Sequence, residues 1–65
     1  MTQLDKDRIK VELWRKGIAH IRQAEQFMRD SGDYVMAENL SVIATMQQRK
    51  LAYFISENHP ITERK

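Results

Sequence analysis

The sequence contains no cysteine and only two glycines and one proline in 65 residues. Without cysteine, neither a disulfide framework nor a thiolate metal site can supplement a small core. No apolar run approaches the roughly 20 residues that span a bilayer, and the first residues lack the pattern of a secretory signal. We therefore expect a cytoplasmic protein that does not enter a membrane.

Motifs for catalysis and cofactor binding are also lacking. Ser31, Ser41 and Ser56 have no histidine–carboxylate context, and there is no glycine-rich phosphate loop. Gly17 stands three residues before His20, where a helical di-metal protein would place a glutamate. The sequence therefore predicts no enzyme activity, no cofactor and no metal site.

Abundant helix-forming residues predict an all-α protein. Thr2 or Asp5 can cap a first helix over about 3–30, and Ser31-Gly32-Asp33 supplies a stop and a start. A second helix is expected over about 33–57, since Pro60 disfavours helix at the preceding residue. The short connection predicts an antiparallel two-helix hairpin over residues 1–58, followed by a flexible polar tail over 59–65.

The second helix carries two apolar stripes rather than one. At about 100° per residue, the main stripe can pack on the first helix. Its members are Met36, Ala37, Leu40, Ile43, Ala44, Leu51, Phe54 and Ile55. The other stripe, Val35, Val42, Met46 and Tyr53, lies roughly 100° or more away and requires a different partner. That partner can be a second copy, another protein or a membrane.

The first helix is also apolar on two flanks. One flank is Ile9, Leu13, Gly17, Ala24 and Phe27, and the other is Val11, Trp14, Ile18, Ile21 and Met28. The apolar arc of each helix is thus wider than the usual stripe of a little over 100°. Self-association into a dimeric four-helix bundle would cover the extra apolar surface of both helices. The expected protein interface comprises Trp14, Ile18, Val35, Val42, Met46 and Tyr53. The predicted role is that of a small regulatory or adaptor protein that binds a protein target, and a membrane surface is disfavoured by acidic residues among the arginines.

An alternative function rests on arginines spaced seven apart along the first helix: Arg8, Arg15, Arg22 and Arg29. Such a row can contact the phosphates of RNA or DNA. Acidic residues at helical pair spacing, namely Asp5, Glu12 and Glu25, favour an ion-paired, solvated surface instead. The net charge of +2 is small and mixed, so nucleic-acid binding is the second hypothesis.

The sequence also predicts the positions of three further residues, Gly17, His20 and Gln47. Gly17, with Ala24, is expected to face Ala37 and Ala44 so that the helices approach closely. His20 is expected in the core or an interface, hydrogen bonded to Gln47 or Gln48. Gln47 either fixes the register of a bundle as a buried polar residue or lies partly exposed.

Overall fold

The computed structural model describes residues 2–57 as two helices joined by a short turn. Helix α1 spans Gln3–Asp30 and helix α2 spans Tyr34–Glu57. The two helices pack side by side along their lengths, which confirms the all-α hairpin predicted from the sequence. The predicted polar tail, 59–65, lies outside the described residues.

The first turn of α1 is closed by reciprocal hydrogen bonds. The Asp5 backbone N–H donates to Thr2 Oγ1 at 3.1 Å, and the Thr2 backbone N–H donates to Asp5 Oδ2 at 3.3 Å. This capping box satisfies two donors that a helix start would otherwise leave unpaired. The local sequence therefore determines where α1 begins.

The turn between the helices is equally local in origin. Gly32 adopts a φ of 88°, which glycine tolerates because it has no Cβ. The N–H of Gly32 donates to Arg29 O and the N–H of Asp33 donates to Met28 O, the pattern of a Schellman motif. Asp33 Oδ1 then accepts from Met36 N at 3.1 Å, so one short segment ends α1 and caps α2.

The core between the helices is small. Its buried side chains are Val11 and Ile18 of α1 with Ala37, Ala44 and Leu51 of α2. Trp14, Phe54 and Ile55 pack around the cluster and remain partly exposed. Two of the five buried side chains are alanines, so the hairpin by itself buries few large apolar groups.

The expected pairing of small residues across the helices is wrong. Ala37 and Ala44 are buried at the helix–helix contact as expected, but Gly17 is exposed and a Cβ added there would meet nothing within 4 Å. Helix α1 turns its other flank, with Val11 and Ile18, towards α2. Val11 and Ile18 cluster there with Leu51 of α2, so the contact is built on large side chains rather than on facing small ones.

Candidate interaction surfaces

Exposed apolar side chains outnumber buried ones within residues 2–57. Ten large hydrophobic side chains are at least 42% exposed, against five buried residues. The exposed set is Ile9, Leu13, Phe27, Tyr34, Val35, Met36, Val42, Ile43, Met46 and Tyr53. Single exposed apolar residues are ordinary, but a contiguous group indicates an interaction site, so their arrangement on the hairpin matters.

One broad side of the hairpin is apolar and is defined by contacts around Trp14. The Trp14 and Phe54 ring centroids are 5.9 Å apart, and Trp14 Nε1 donates to Gln47 Oε1 at 3.0 Å. Residues at heptad-like spacing from these continue along the same side, and Leu13 adjoins Trp14 at the edge of this side, in a shallow depression. We call this surface the apolar face: Leu13, Trp14, Gly17, Ile21, Ala24, Met28, Met36, Leu40, Ile43, Gln47 and Phe54.

On the opposite side, Arg22 bonds to Glu25, Ser41, Thr45 and Gln48. We call this side the polar face. Arg22 Nη1 donates to Glu25 Oε1 at 2.8 Å and to Ser41 Oγ at 3.5 Å. Its Nη2 donates to Thr45 Oγ1 at 3.4 Å and to Gln48 Oε1 at 2.9 Å. One guanidinium therefore ties α1 to three side chains of α2, and its hydrogen bonds are satisfied within the chain.

Glu25 completes this network. Its carboxylate accepts from Arg29 Nη2 at 2.7 Å as well as from Arg22, and the side chain is only 13% exposed. The hydrogen bonds from Arg29 and then Arg22 hold the pKa of the Glu25 carboxyl below its ordinary value. The carboxylate thus stays charged and supports the cross-helix contact of Arg22.

The second stripe of α2 points away from α1. Each of its members, Val35, Val42, Met46 and Tyr53, stands two residues from a buried residue of α2, and two residues are roughly 200° around a helix. Their exposed fractions run from 49% to 76%. We call this surface the outer stripe, and α1 does not cover it.

Two other residues expected at an interface lie inside the hairpin. Ile18 is buried against α2, and Trp14 packs on the core and bonds to Gln47. Trp14 still contributes part of its ring to the apolar face. The surface that sequence reasoning missed includes Leu13, Met36 and Ile43, which are 61%, 42% and 44% exposed. The wide apolar arc of each helix was their only signal.

The arginine row divides into two pairs. Arg22 and Arg29 share Glu25, as the spacing predicted. Within residues 2–57, Arg8 and Arg15 form no ion pair, so the expected pairing with Asp5 and Glu12 is not observed. Arg15 lies beside a shallow groove between the helices that Arg22, Ile18 and Leu51 also line. Within residues 2–57, Arg22 and Arg29 are therefore ion paired, whereas Arg8 and Arg15 are not.

The expectations for His20 and Gln47 are only partly met. His20 is exposed on α1, and the amides proposed as its partners bond elsewhere: Gln47 with Trp14, and Gln48 with Arg22. Gln47 itself is half-buried. Its polar side chain thus anchors the indole rather than the histidine.

Within the described part of the chain, no three acidic, histidine or cysteine side chains are grouped to hold a metal ion. Neither α1 nor α2 has the length and apolarity needed to cross a bilayer. Comparison with protein-family models, curated protein sequences and solved structures finds no match to this chain. The two apolar surfaces and the free arginines are therefore the features on which a function can be argued.

Proposed function

We propose that the protein is a small interaction module that self-associates through the apolar face into a four-helix bundle. In the bundle, the outer stripe stays available to a protein target. The observation that carries this proposal is the exposure of Met36 and Ile43 on α2, and of Leu13 beside Trp14 on α1, in a hairpin whose own core is small.

The size of the core supports association. Chains of this length rarely obtain enough stability from one hydrophobic core and commonly rely on oligomerisation. Burying a large apolar side chain is worth about 1.5–3 kcal/mol, and the apolar face offers several on each copy. Ordering and association oppose this gain, but an isologous contact uses every residue of the face twice.

The geometry of the two surfaces supports a division of roles. The apolar face spans both helices, whereas the outer stripe lies on α2 alone, directed away from α1. A second copy seated on the apolar face leaves Val42, Met46 and Tyr53 open. These form a ridge of the kind that a partner helix or groove binds, which fits a regulatory or adaptor role.

The test is the sedimentation of Leu13→Asp against the unaltered protein. A carboxylate at Leu13, beside Trp14 on the apolar face, would have to be buried unpaired in the dimer, so we expect the dissociation constant of the dimer to rise at least tenfold. Ala19→Asp is the matched control, because Ala19 is exposed on α1 and lines the groove of the polar face. A helical monomer for the unaltered protein at all concentrations would overturn the proposal.

The free arginines favour one second candidate, the binding of RNA or DNA phosphates by the polar face. Arg8 and Arg15 lack ion pairs within residues 2–57, and Arg15 adjoins the inter-helix groove with Arg22. Contacts of this type give an affinity that falls steeply with salt.

Arg15→Glu and Lys16→Glu separate this candidate from nonspecific attraction. Both reverse one charge on adjacent residues, but Lys16 lies about 100° around α1 from Arg15. Nucleic-acid binding by the polar face requires that Arg15→Glu weaken affinity in low salt much more than Lys16→Glu does. Equal losses, or no binding at low salt, would remove this candidate.

A further inference from the structure

We propose that the two copies associate with their ends reversed, so that the turn of one hairpin lies over the open end of the other. The open end is where α1 begins and α2 ends. This inference rests on the proposed self-association and adds the orientation of the second copy. A bundle with both turns at the same end is the competing arrangement, and both arrangements have twofold symmetry.

Basic residues border the apolar face at the open end. Lys10 Nζ lies 4.6 Å from the centroid of the Phe54 ring, and Lys6 and Lys10 line a shallow depression with Leu13 and Trp14. Lys50 follows Ile43 by seven residues and so lies on the same side of α2. Three lysines thus surround the part of the face where Trp14 and Phe54 are packed.

The turn end differs in its lack of basic residues. Between residues 30 and 38 the chain has three acidic residues, Asp30, Asp33 and Glu38, and no lysine or arginine. Arg29, just before this segment, is paired with Glu25. Asp5, Asp7 and Glu12 lie at the open end too, but lysines and arginines outnumber acidic residues over 3–16 and 48–57, and the reverse holds over 25–38. The hairpin therefore has a net positive charge at its open end and a net negative charge at its turn.

This polarity favours the reversed orientation. With both turns at one end, six lysines of the two copies would gather around the other end. Repulsion between charges is screened beyond a Debye length, roughly 8 Å at physiological salt, so the lysines nearest the contact would oppose this arrangement. Reversal separates the two sets and places each opposite a segment that carries acidic groups, and like-charge avoidance is a common determinant of orientation in helical bundles.

The pattern of side-chain sizes along α1 is compatible with the same arrangement. Reversal about an axis near residues 18–19 of α1 places the two α1 helices against each other in opposite directions. Leu13 then lies near Ala24 of the other copy, and Gly17 lies near Ile21 of the other copy. Each large side chain meets a small one, and Gly17 has open space in front of it, so the open space is filled by the second copy.

Distances between spin labels decide the orientation. The chain has no cysteine, so Ser31→Cys provides a single labelling site in the exposed turn. The reversed dimer places the two labels about 40 Å apart, given a rise of about 1.5 Å per residue along α1. The competing dimer places them at roughly 20 Å or less, because packed helix axes are only about 8–10 Å apart.

A second labelling site tests whether the distance measured at Ser31→Cys reflects the whole dimer rather than the turn alone. Gln3→Cys labels the open end, where the reversed dimer again predicts a separation above about 40 Å and the competing one a short distance. A dimer with short distances at both sites, or with long and short populations at either, overturns the orientation but leaves the self-association intact. A monomer by sedimentation overturns the proposed function itself, and the orientation with it.

Discussion

The two faces of the hairpin flank the same helix–helix contact, but different kinds of interaction join the helices on each. On the polar face, one guanidinium of α1 is matched by Ser41, Thr45 and Gln48 of α2. On the apolar face, Trp14 meets Phe54 and Gln47, and the side chains further out stay exposed. The contacts of Arg22 on the polar face are completed within one chain, whereas Leu13, Met36 and Ile43 on the apolar face stay exposed.

The difference lies in how each type of contact is satisfied. Hydrogen bonds are directional and involve few groups, so a single arginine can complete them within one chain. Apolar groups gain from every part of their area that leaves water, and two helices cannot enclose surfaces wider than their contact line. A hairpin with one face of each kind therefore makes polar contacts within the chain and keeps apolar surface exposed.

The largest expected loss of stability comes from a substitution in the core that lies beneath both faces. Leu51→Ala removes a side chain that is only 6% exposed, and we expect a loss of about 2–5 kcal/mol in the free energy of unfolding. Chemical denaturation followed by circular dichroism measures it.

Leu13→Ala is the matched comparison, since Leu13 is 61% exposed. Its cost should appear through association, and therefore vary with protein concentration. Equal and concentration-independent losses at both leucines would show that Leu13 is not part of an interface between copies.

The next largest effect is expected for Arg22 on the polar face, where stability should change but self-association should not. Arg22→Met keeps the apolar stem but removes the hydrogen bonds to α2, and we expect a loss of about 1–2 kcal/mol in stability because the group is partly exposed. Sedimentation should give an unchanged dissociation constant. A dissociation constant raised tenfold would mean that both faces take part in the contact between copies.

A smaller effect is expected on the apolar face from Trp14→Phe. The ring contact with Phe54 is largely kept, but the Gln47 amide oxygen loses its donor, at a cost of about 0.5–1.5 kcal/mol in unfolding free energy. Replacing both partners, Trp14→Phe with Gln47→Leu, should recover most of that loss in thermal melts. Failure of the double variant to recover would indicate that the indole contributes by its size rather than its hydrogen bond.

The smallest effect concerns pH. Arg29 and Arg22 lower the pKa of the Glu25 carboxyl in the folded state. Its contribution is therefore present above the unfolded pKa and is lost as pH falls through the lowered folded pKa. Glu25→Gln should lower the melting temperature slightly at pH 7, and the difference should shrink towards zero in acid.

Glu38→Gln serves as the control, because Glu38 is an exposed carboxyl of α2 outside this network. It should leave the melting temperature at pH 7 nearly unchanged. A Glu25→Gln difference that persists unchanged at low pH would contradict the assigned role of the charge.

Local signals explain what could be foreseen from the sequence. The Thr2–Asp5 capping box and the Ser31-Gly32-Asp33 turn act through neighbouring backbone groups, so they define helix ends whatever the helices pack against. The outer stripe of α2 was also readable, because helical periodicity places it opposite Ala44 and Leu51 in any packing that uses the main stripe.

What the sequence alone determined is the hairpin, the positions where its helices end and the excess of apolar surface. Only the tertiary structure decided which flank of α1 meets α2, because both flanks are apolar and periodicity ranks them equally. Burial of Val11 and Ile18 against Leu51 of α2, with Arg22 reaching across on one side and Trp14 on the other, selected that flank. The same choice left Gly17 and Leu13 facing outward, since a helix that turns one flank inward must expose the other.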